Sequence, residues 1–417
     1  MEATVNESSP SMWPQTEGVR RVPYRLFTDP AVYAREQERL FGGRSWNYVA
    51  LDAELPNPGD FKATFIADTP VIVCRDRAGE LHAMVNRCAH RGALVCREFR
   101  GNRAALQCVY HQWTYDLKGN LTGVPFRKGL DGRGGYPPDF DPALHSLRKL
   151  NLTTYRSLVF ASLSDDVEPI EEYLGDEICP WIDRVFNRPV KILGYARQFI
   201  HANWKLYVEN VKDPYHASLL HLFHATFNIY RANQGGGCLT DPKGRTSIIR
   251  AFRRAEQDDR DVEGIAPRTY RKGYELADPS LLDSRKEFEV ELTNSINHIF
   301  PCVVVQQIQN TLATRHILPK GPDSFELLFT FFGYRDDDAE MDRLRLKHAN
   351  LVGPAGYISM EDGYATELVQ QAIVRVDGDS DSSYVEYGGE KEGGDETLNT
   401  ESAIRSFWRY YRSVMDI

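Results

Sequence analysis

The most restrictive feature of this chain is a pair of short segments, Cys88-Ala-His90-Arg-Gly and Cys108-Val-Tyr-His111-Gln-Trp, separated by a 17-residue gap. Each cysteine travels with its own histidine, so two loops must place four ligand-forming side chains together. The flanking sequence suits that demand. Phe61–Ile66, Val71–Arg75 and Leu81–Val85 are short β-prone runs divided by Asp68-Thr69-Pro70 and by a turn from Asp76 to Gly79. Leu106–Tyr115 and Leu121–Val124 continue the pattern across Lys118-Gly119-Asn120, and Leu158–Ser162 closes it. Short, evenly spaced strands predict a small antiparallel β-domain over 46–165.

The four ligands fit either one zinc ion or a two-iron, two-sulfide cluster with two thiolates on one iron and two imidazoles on the other. Zinc knuckles usually pair Cys with Cys and His with His. The interleaved order lets each loop give one ligand to each iron, which is the Rieske arrangement. Cys88, His90, Cys108 and His111 are therefore the candidate cluster ligands, and the site reads as an electron relay. A zinc-stabilised binding module, or two core cysteines beside two incidental histidines, are the other readings. Gly92 and Gly119 suit tight turns. Cys96 has no paired histidine and reads as a packing residue.

The rest of the chain changes texture. Residues 1–20 look like a loose tail, after which Asp29-Pro30 caps a helix running to Phe41 and stopped by Gly42-Gly43. Beyond about residue 166, helical stretches (Ile170–Leu174, Trp204–Phe227, Met341–Ala349, Gly363–Ile373, Glu401–Met415) mix with strands (Val190–Phe199, Ile299–Ile308, Ala313–Leu318, Phe325–Tyr334). The expected class is α+β, with a tail and helix over 1–45 packing on a larger α+β domain over 166–417 that has an antiparallel sheet of its own. The stretch from Val376 to Thr397 reads as a surface loop. A net charge of −9 argues against a sequence-blind grip on nucleic acid or anionic lipid. Seven cysteines, an odd number, argue against a disulfide framework. No apolar run reaches the roughly 18 residues needed to span a bilayer, and the polar start lacks signal-peptide character, so a cytoplasmic location is expected. No Gly-x-Gly-x-x-Gly opens a helix before a ribose-binding acid, so no nicotinamide or flavin site is expected.

A second constellation lies in Asp213-Pro-Tyr-His216-Ala-Ser-Leu-Leu-His221-Leu-Phe-His224, with three histidines and a carboxylate in twelve residues. Two histidines plus one carboxylate is the facial triad of non-haem Fe(II) oxygenases. Residues five apart on a regular helix are rotated by about 140°, so His216 and His221 converge only through a distorted turn or long reach. Asp213-Pro214 supplies a cause, because the residue before proline is pushed out of helical dihedrals. The plain alternative is an Asp213 helix cap with packing histidines.

Together these motifs resemble the α-subunits of Rieske non-haem iron ring-hydroxylating oxygenases, and the likeness covers nearly the whole chain. NWKLYVENVKDPYHASLLH, FPCVVVQQIQN and GPAGYISMEDG look most like the salicylate, anthranilate and terephthalate hydroxylating enzymes. The resemblance implies that His216 and His221 are iron ligands and that Asp362 is the third, with Glu361 and His224 as chemically able neighbours. It gives Asp213 a catalytic role, bridging by hydrogen bonds to His90 or His111 of the next subunit in a trimer. It also implies a terminal oxygenase for an aromatic carboxylic acid and O2, with a Rieske [2Fe-2S] cluster and mononuclear Fe(II). Electrons would come from NAD(P)H through a separate reductase, with or without a ferredoxin, in an α3 or α3β3 assembly with a small β-subunit. Arg315 and Arg405 resemble carboxylate-contacting arginines of the terephthalate-type relatives, and His316 can add a polar contact. From their neighbourhood in the sequence, Val208, Leu220, Phe227, Ile296, Val305, Gln307 and Ile358 are candidate pocket residues. Monooxygenation or demethylation of an aromatic ether or amine is the alternative chemistry.

Overall fold

A computed structural model of the chain describes residues 13, 18–227, 229–230, 234–252, 273–374 and 383–417. It resolves into two compact units: Leu40–Tyr173 with Phe186–Ile192, and the remainder. The first is mainly β, in three small antiparallel sheets, with short helical turns at Asp52–Glu54, Pro142–His145 and the start of Ile170–Leu174. Leu81–Val85, Thr69–Arg75, Asp60–Ile66 and Arg100–Asn102 lie side by side in that order; Leu106–Gln107, Thr114–Tyr115 and Leu121–Gly123 form the second sheet; Asn151–Tyr155, Leu158–Ser162 and Asn47–Leu51 form the third. Alternation along Asp60–Ile66 turns Phe61 inward, onto a core with Ile72, Cys74, Met84, Trp113 and Tyr115.

The other unit is built on a seven-stranded sheet in the order Val190–Ile200, Phe325–Tyr334, Thr311–Pro319, Val303–Ile308, Asn294–Ile299, Ser247–Phe252 and Gly235–Thr240. Pairing is antiparallel from Phe325–Tyr334 to the last strand. The strands Thr311–Pro319 and Val303–Ile308 are buried along their whole length. Both faces of these strands are therefore covered, and the cover takes in polar side chains such as Gln306, Thr314, Arg315 and His316 as well as apolar ones. At the sheet's edge, a Cβ on Gly237 would stand 2.0 Å from the Asp395 carbonyl oxygen, so the crossing segment touches backbone directly.

The helix Trp204–Asn210 is held at both ends. Its N-cap Asn203 accepts from the Lys205 N–H. Buried Glu36 accepts from the Trp204 indole (2.8 Å), the Lys205 ammonium (2.7 Å) and the Tyr411 hydroxyl of the last helix, Ser402–Met415. At its other end, Glu209 accepts from the Trp408 indole (2.7 Å) and the Tyr387 hydroxyl.

Several expected elements differ. Leu106–Tyr115 is two short strands, because residues 108–113 are a ligand-bearing loop. Trp204–Phe227 is three short helices, Trp204–Asn210, Ala217–Leu220 and Leu222–Thr226, broken first at Asp213-Pro214 and again at His221, whose ψ of 69° leaves the helical region. Ile299–Ile308 is the end of one strand and the whole of the next, turned at Phe300-Pro301. The first helix ends at Glu36 and passes into a π turn over Gln37–Phe41. Gly235–Thr240 and Ser247–Phe252 were not read as strands; glycine in the first hides its β character. In the tail, Trp13 is fully buried against Trp408, with ring centroids 5.6 Å apart, and Arg21–Pro23 pairs with Tyr384–Glu386 inside the expected surface loop. The rest of the tail before Gly18, and residues 376–382 of that loop, lie outside the described residues.

Candidate metal centres

The two cysteine–histidine loops repeat one backbone pattern. The Cys88 N–H donates to the Ala93 carbonyl (2.8 Å) and the Gly92 N–H to the Cys88 carbonyl (2.9 Å); Cys108 and Trp113, then Gln112 and Cys108, repeat these bonds at 2.9 and 3.0 Å. Both loops need a left-handed residue at the same place, Gly92 at φ 75° and Gln112 at φ 56°. Glycine adopts this freely, whereas Gln112 carries strain of about 1 kcal/mol or more. Behind the first loop, the Asn86 side chain accepts from the Val95 and Cys96 N–H groups and donates to the Cys96 carbonyl. That places Cys96 in a packing role.

The ligand side chains separate by type. The His90 and His111 rings meet edge to face, 4.5 Å apart, and His90 stacks on Trp113 at 4.9 Å and 8°. Desolvation and the neighbouring His111 ring lower the pKa of His90 and favour the neutral, ligating form. The Cys88 and Cys108 thiols are in contact, and burial followed by that contact raises Cys108. Tyr115 Oη lies 3.2 Å from Cys88 Sγ and accepts from the Ala89 N–H. Four ligands on one tetrahedral zinc would sit within about 4 Å of each other, given bonds of roughly 2.0–2.3 Å. Among the described residues, three or more donor atoms within 4.8 Å of one another occur at His216–His221–Asp362 and Asp76–Glu80–His82, and not here. Paired thiols and paired imidazoles fit a two-iron cluster better.

His216–His221–Asp362 is the second centre. His216 Nε2 lies 3.5 Å and His221 Nε2 3.2 Å from the same atom, Asp362 Oδ1. Asp362 sits in the first turn of the helix Ser359–Ile373, whose start is clasped by the Gln198 amide on the Ser359 carbonyl and hydroxyl. The helix breaks at Asp213-Pro214 and His221 bring the two rings together despite their five-residue spacing. Each outer nitrogen faces a second carboxylate: Glu361 Oε2 lies 2.7 Å from His221 Nδ1, and Asp213 Oδ2 3.1 Å from His216 Nδ1. Glu361 thus backs the His221 ring. The His216 contact is at ion-pair distance without hydrogen-bond alignment. Asp213 Oδ1 meanwhile caps the backbone, accepting from the Tyr215 (2.7 Å) and His216 (3.3 Å) N–H groups. The cap and the imidazole contact use different oxygens of one carboxylate. Asn210 Nδ2 lies 3.3 Å from His216 Nε2 and donates to Asp362 Oδ1 at 3.1 Å.

Burial opposes charge on His216, but Asp213 and Asp362 outweigh it and push its pKa up to about 10. His221 is likewise raised against its burial, mainly by Asp362. Burial opposes ionisation of Asp362 too, yet the two histidines hold it well below the usual carboxylate range. A buried charge cluster of this sign, with three donors on one side, is suited to a divalent cation in place of protons.

Beside it opens a cavity of about 620 Å³, partly continuous with solvent, whose apolar wall includes Ile229, Ile249, Ile296, Ile308 and Ile358. Arg315 reaches it from the strand Thr311–Pro319, donating to the Tyr207 hydroxyl (2.9 Å) and the Gln306 side-chain oxygen, with no acidic partner among the described residues. Other sequence candidates are not brought to this wall. Arg405 donates to the Gly388 and Lys391 carbonyls. Gln307 is bonded to Arg184 and to the Leu292 and Gln309 carbonyls. Val208 and Val305 are core, and Leu220, Phe227 and His316 also lie off the cavity. Of the lining residues, Asn210, Tyr230, Thr293, Asn294 and the wall residues Ile229, Ile249 and Ile308 are not among the sequence candidates, and His224 lines the pocket as well. Asn210 was in reach, one helical turn before the ligand segment; strand residues 293–294 carried no signal until the sheet register was known.

Residues 45–136 match the Rieske [2Fe-2S] domain family, and residues 177–417 match the catalytic domain of ring-hydroxylating alpha subunits. The chain is 54% identical to the anthranilate 1,2-dioxygenase large subunit of Burkholderia cepacia, covering 99% of this chain and 97% of that protein. It is 46% identical to terephthalate 1,2-dioxygenase terminal oxygenase component subunit alpha 2 of Comamonas sp, covering 95% of each. The fold matches crystalline naphthalene 1,2-dioxygenase from Rhodococcus sp. with a TM-score of 0.78, at 24% identity, over 96% of this chain and 97% of that one. With matches along both parts of the chain, and donor sets suited to a two-iron cluster and a single iron, it belongs to the ring-hydroxylating oxygenases as an alpha subunit.

Proposed function

We propose that this subunit hydroxylates the ring of an aromatic carboxylic acid. The observation that carries the substrate class is Arg315, a buried guanidinium without an acidic partner among the described residues, in the same cavity lining as Asp362 and the two histidines. A buried cation left unpaired is costly, and a planar carboxylate satisfies it at two points. The isoleucine wall then holds the ring by its faces. In this reading Cys88 and Cys108 hold one iron of the cluster, His90 and His111 the other, and His216, His221 and Asp362 hold the mononuclear Fe(II). When bound, the cluster relays single electrons and the mononuclear iron activates dioxygen. Glu361 fixes the His221 ring, and Asp213 both caps its loop and holds His216.

Electrons reach such an oxygenase from a reductase, with or without a ferredoxin. Association of copies into a trimer, with or without a small β-subunit, is part of the proposal, as is division into 46–165 and 166–417. Its support is exposed apolar surface near both centres: Leu94, Val109 and Tyr110 around the cluster loops, and Tyr215, Leu219 and Tyr364 around the iron ligands. Asp213 would then face the partner copy's cluster histidines. Among the described residues no helix is long and apolar enough to cross a membrane, and the cytoplasm is the compartment proposed. The test is turnover of a panel of aromatic acids with product mass, for the wild type and Arg315→Met. The variant should keep its iron and raise KM for the preferred acid at least about tenfold, the loss of one charge-assisted contact. An unchanged KM removes the carboxylate assignment.

A further inference from the structure

His224 is the one histidine of its segment that the metal centre leaves over. It is 2% exposed and lines the cavity, yet neither ring nitrogen has a hydrogen-bond partner among the described residues. Its ring centre is 6.2 Å from that of His221, and it stands outside the donor set His216–His221–Asp362. Its backbone carbonyl accepts from the Ile229 and Tyr230 N–H groups, which ties down the segment that carries the ring. Leaving buried polar atoms unpaired costs on the order of 1–3 kcal/mol each, a cost that a bound group in the cavity would remove. Nearby on the wall, the Asn294 side-chain oxygen is likewise buried and unpartnered.

The wall can therefore be counted by charge. Among its described residues Arg315 is the only permanent cation; apart from His216 Nδ1, which faces Asp213, the lining atoms without a hydrogen-bond partner belong to His224 and Asn294, hydrogen-bonding groups with no carboxylate bonded to them. One cation matches one carboxylate. An imidazole and an amide match a substituent that both donates and accepts, such as an amino or hydroxyl group. A second carboxylate would be buried against acidic Asp213 and Asp362 without a cation of its own.

We propose that His224 is a specificity-determining residue that hydrogen-bonds an amino or hydroxyl substituent on an aromatic monocarboxylic acid. This rests on the aromatic-acid reading above and narrows it: the cavity favours amino- and hydroxybenzoates over unsubstituted benzoate and over benzenedicarboxylates.

The test is anaerobic calorimetric titration of the iron-loaded protein with 2-aminobenzoate, 2-hydroxybenzoate, benzoate and benzene-1,4-dicarboxylate. The wild type should bind at least one of the two substituted acids about tenfold more tightly than benzoate, one satisfied hydrogen bond by the usual conversion, and the dicarboxylate most weakly. In His224→Leu that tenfold ratio should collapse towards one, and His224→Gln, which keeps a donor and an acceptor, should restore part of it. Equal wild-type affinity for benzoate and both substituted acids, tighter binding of the dicarboxylate, or an unchanged ratio in His224→Leu would each overturn the role. The wild-type series decides even if the leucine variant does not fold. If none of the four acids binds, the aromatic-acid reading falls with it; if all bind and only the ratios disagree, that reading stands and the His224 assignment alone fails.

Discussion

Asp213 divides its oxygens between the backbone of Tyr215 and His216 and the ring of His216. Asp213→Asn keeps a side-chain oxygen for the cap and removes the negative charge beside the imidazole. Its stability should fall by at most about 1 kcal/mol, the range for a lost cap. Single-turnover oxidation of the reduced cluster, with substrate and O2 present, should slow at least about tenfold, because the acid that orients a metal-bound histidine is gone. A normal oxidation rate would leave Asp213 as a cap alone. Neighbouring carboxylates should behave unequally. Asp362→Ala should lose the mononuclear iron and keep the visible spectrum of the cluster. Glu361→Gln, which alters only the partner of His221 Nδ1, should retain the iron with affinity weakened about 10–100-fold, read by Co(II) titration of the iron-stripped site. Equal loss in both variants would make Glu361 a ligand.

At the scale of elements, the edge strand Gly235–Thr240 gives a stringent case. Gly237→Ala would drive its Cβ into the Asp395 carbonyl, which is backbone and cannot swing aside. It should lower stability by about 1–3 kcal/mol, measured as a shift in the urea midpoint with the cluster spectrum as an internal control. A variant as stable as the wild type would mean that the segment around Asp395 can yield. This strand also marks where sequence reading stopped. The candidate donor motifs were legible, because Cys-x-His, Cys-x-x-His and His-x4-His are local spacings that chemistry restricts, while Asp362 came only from the family resemblance. So were the long apolar strands such as Phe325–Tyr334. The three-glycine strand was not: it pairs with the neighbouring Ser247–Phe252, but its glycines are required by close backbone contacts, one of them with Asp395 far along the chain. The cavity wall failed for the same reason. Arg315 and Arg405 look alike in sequence, and only the strand register and the loop carbonyls around residues 388–391 separate a guanidinium in the cavity from one spent on backbone.

For the whole molecule, metal analysis should find about three irons per chain, two in the cluster and one at His216–His221–Asp362. Chelation at mild strength should remove the last one first, since it has three protein ligands and lies against an open cavity. Stoichiometric zinc without visible absorption would contradict the cluster. The clasp on the helix Trp204–Asn210 has a consequence of its own. Glu36, near the start of the chain, holds Trp204 and Lys205 together with Tyr411 of the last helix, while Trp408 and Tyr387 hold Glu209. A chain still emerging from the ribosome has made the iron-binding histidines long before it has made Tyr411. Until that late segment has been made, Glu36, Lys205 and Glu209 lack their cover, so the helix Trp204–Asn210 cannot settle before the chain has been synthesised through Tyr411.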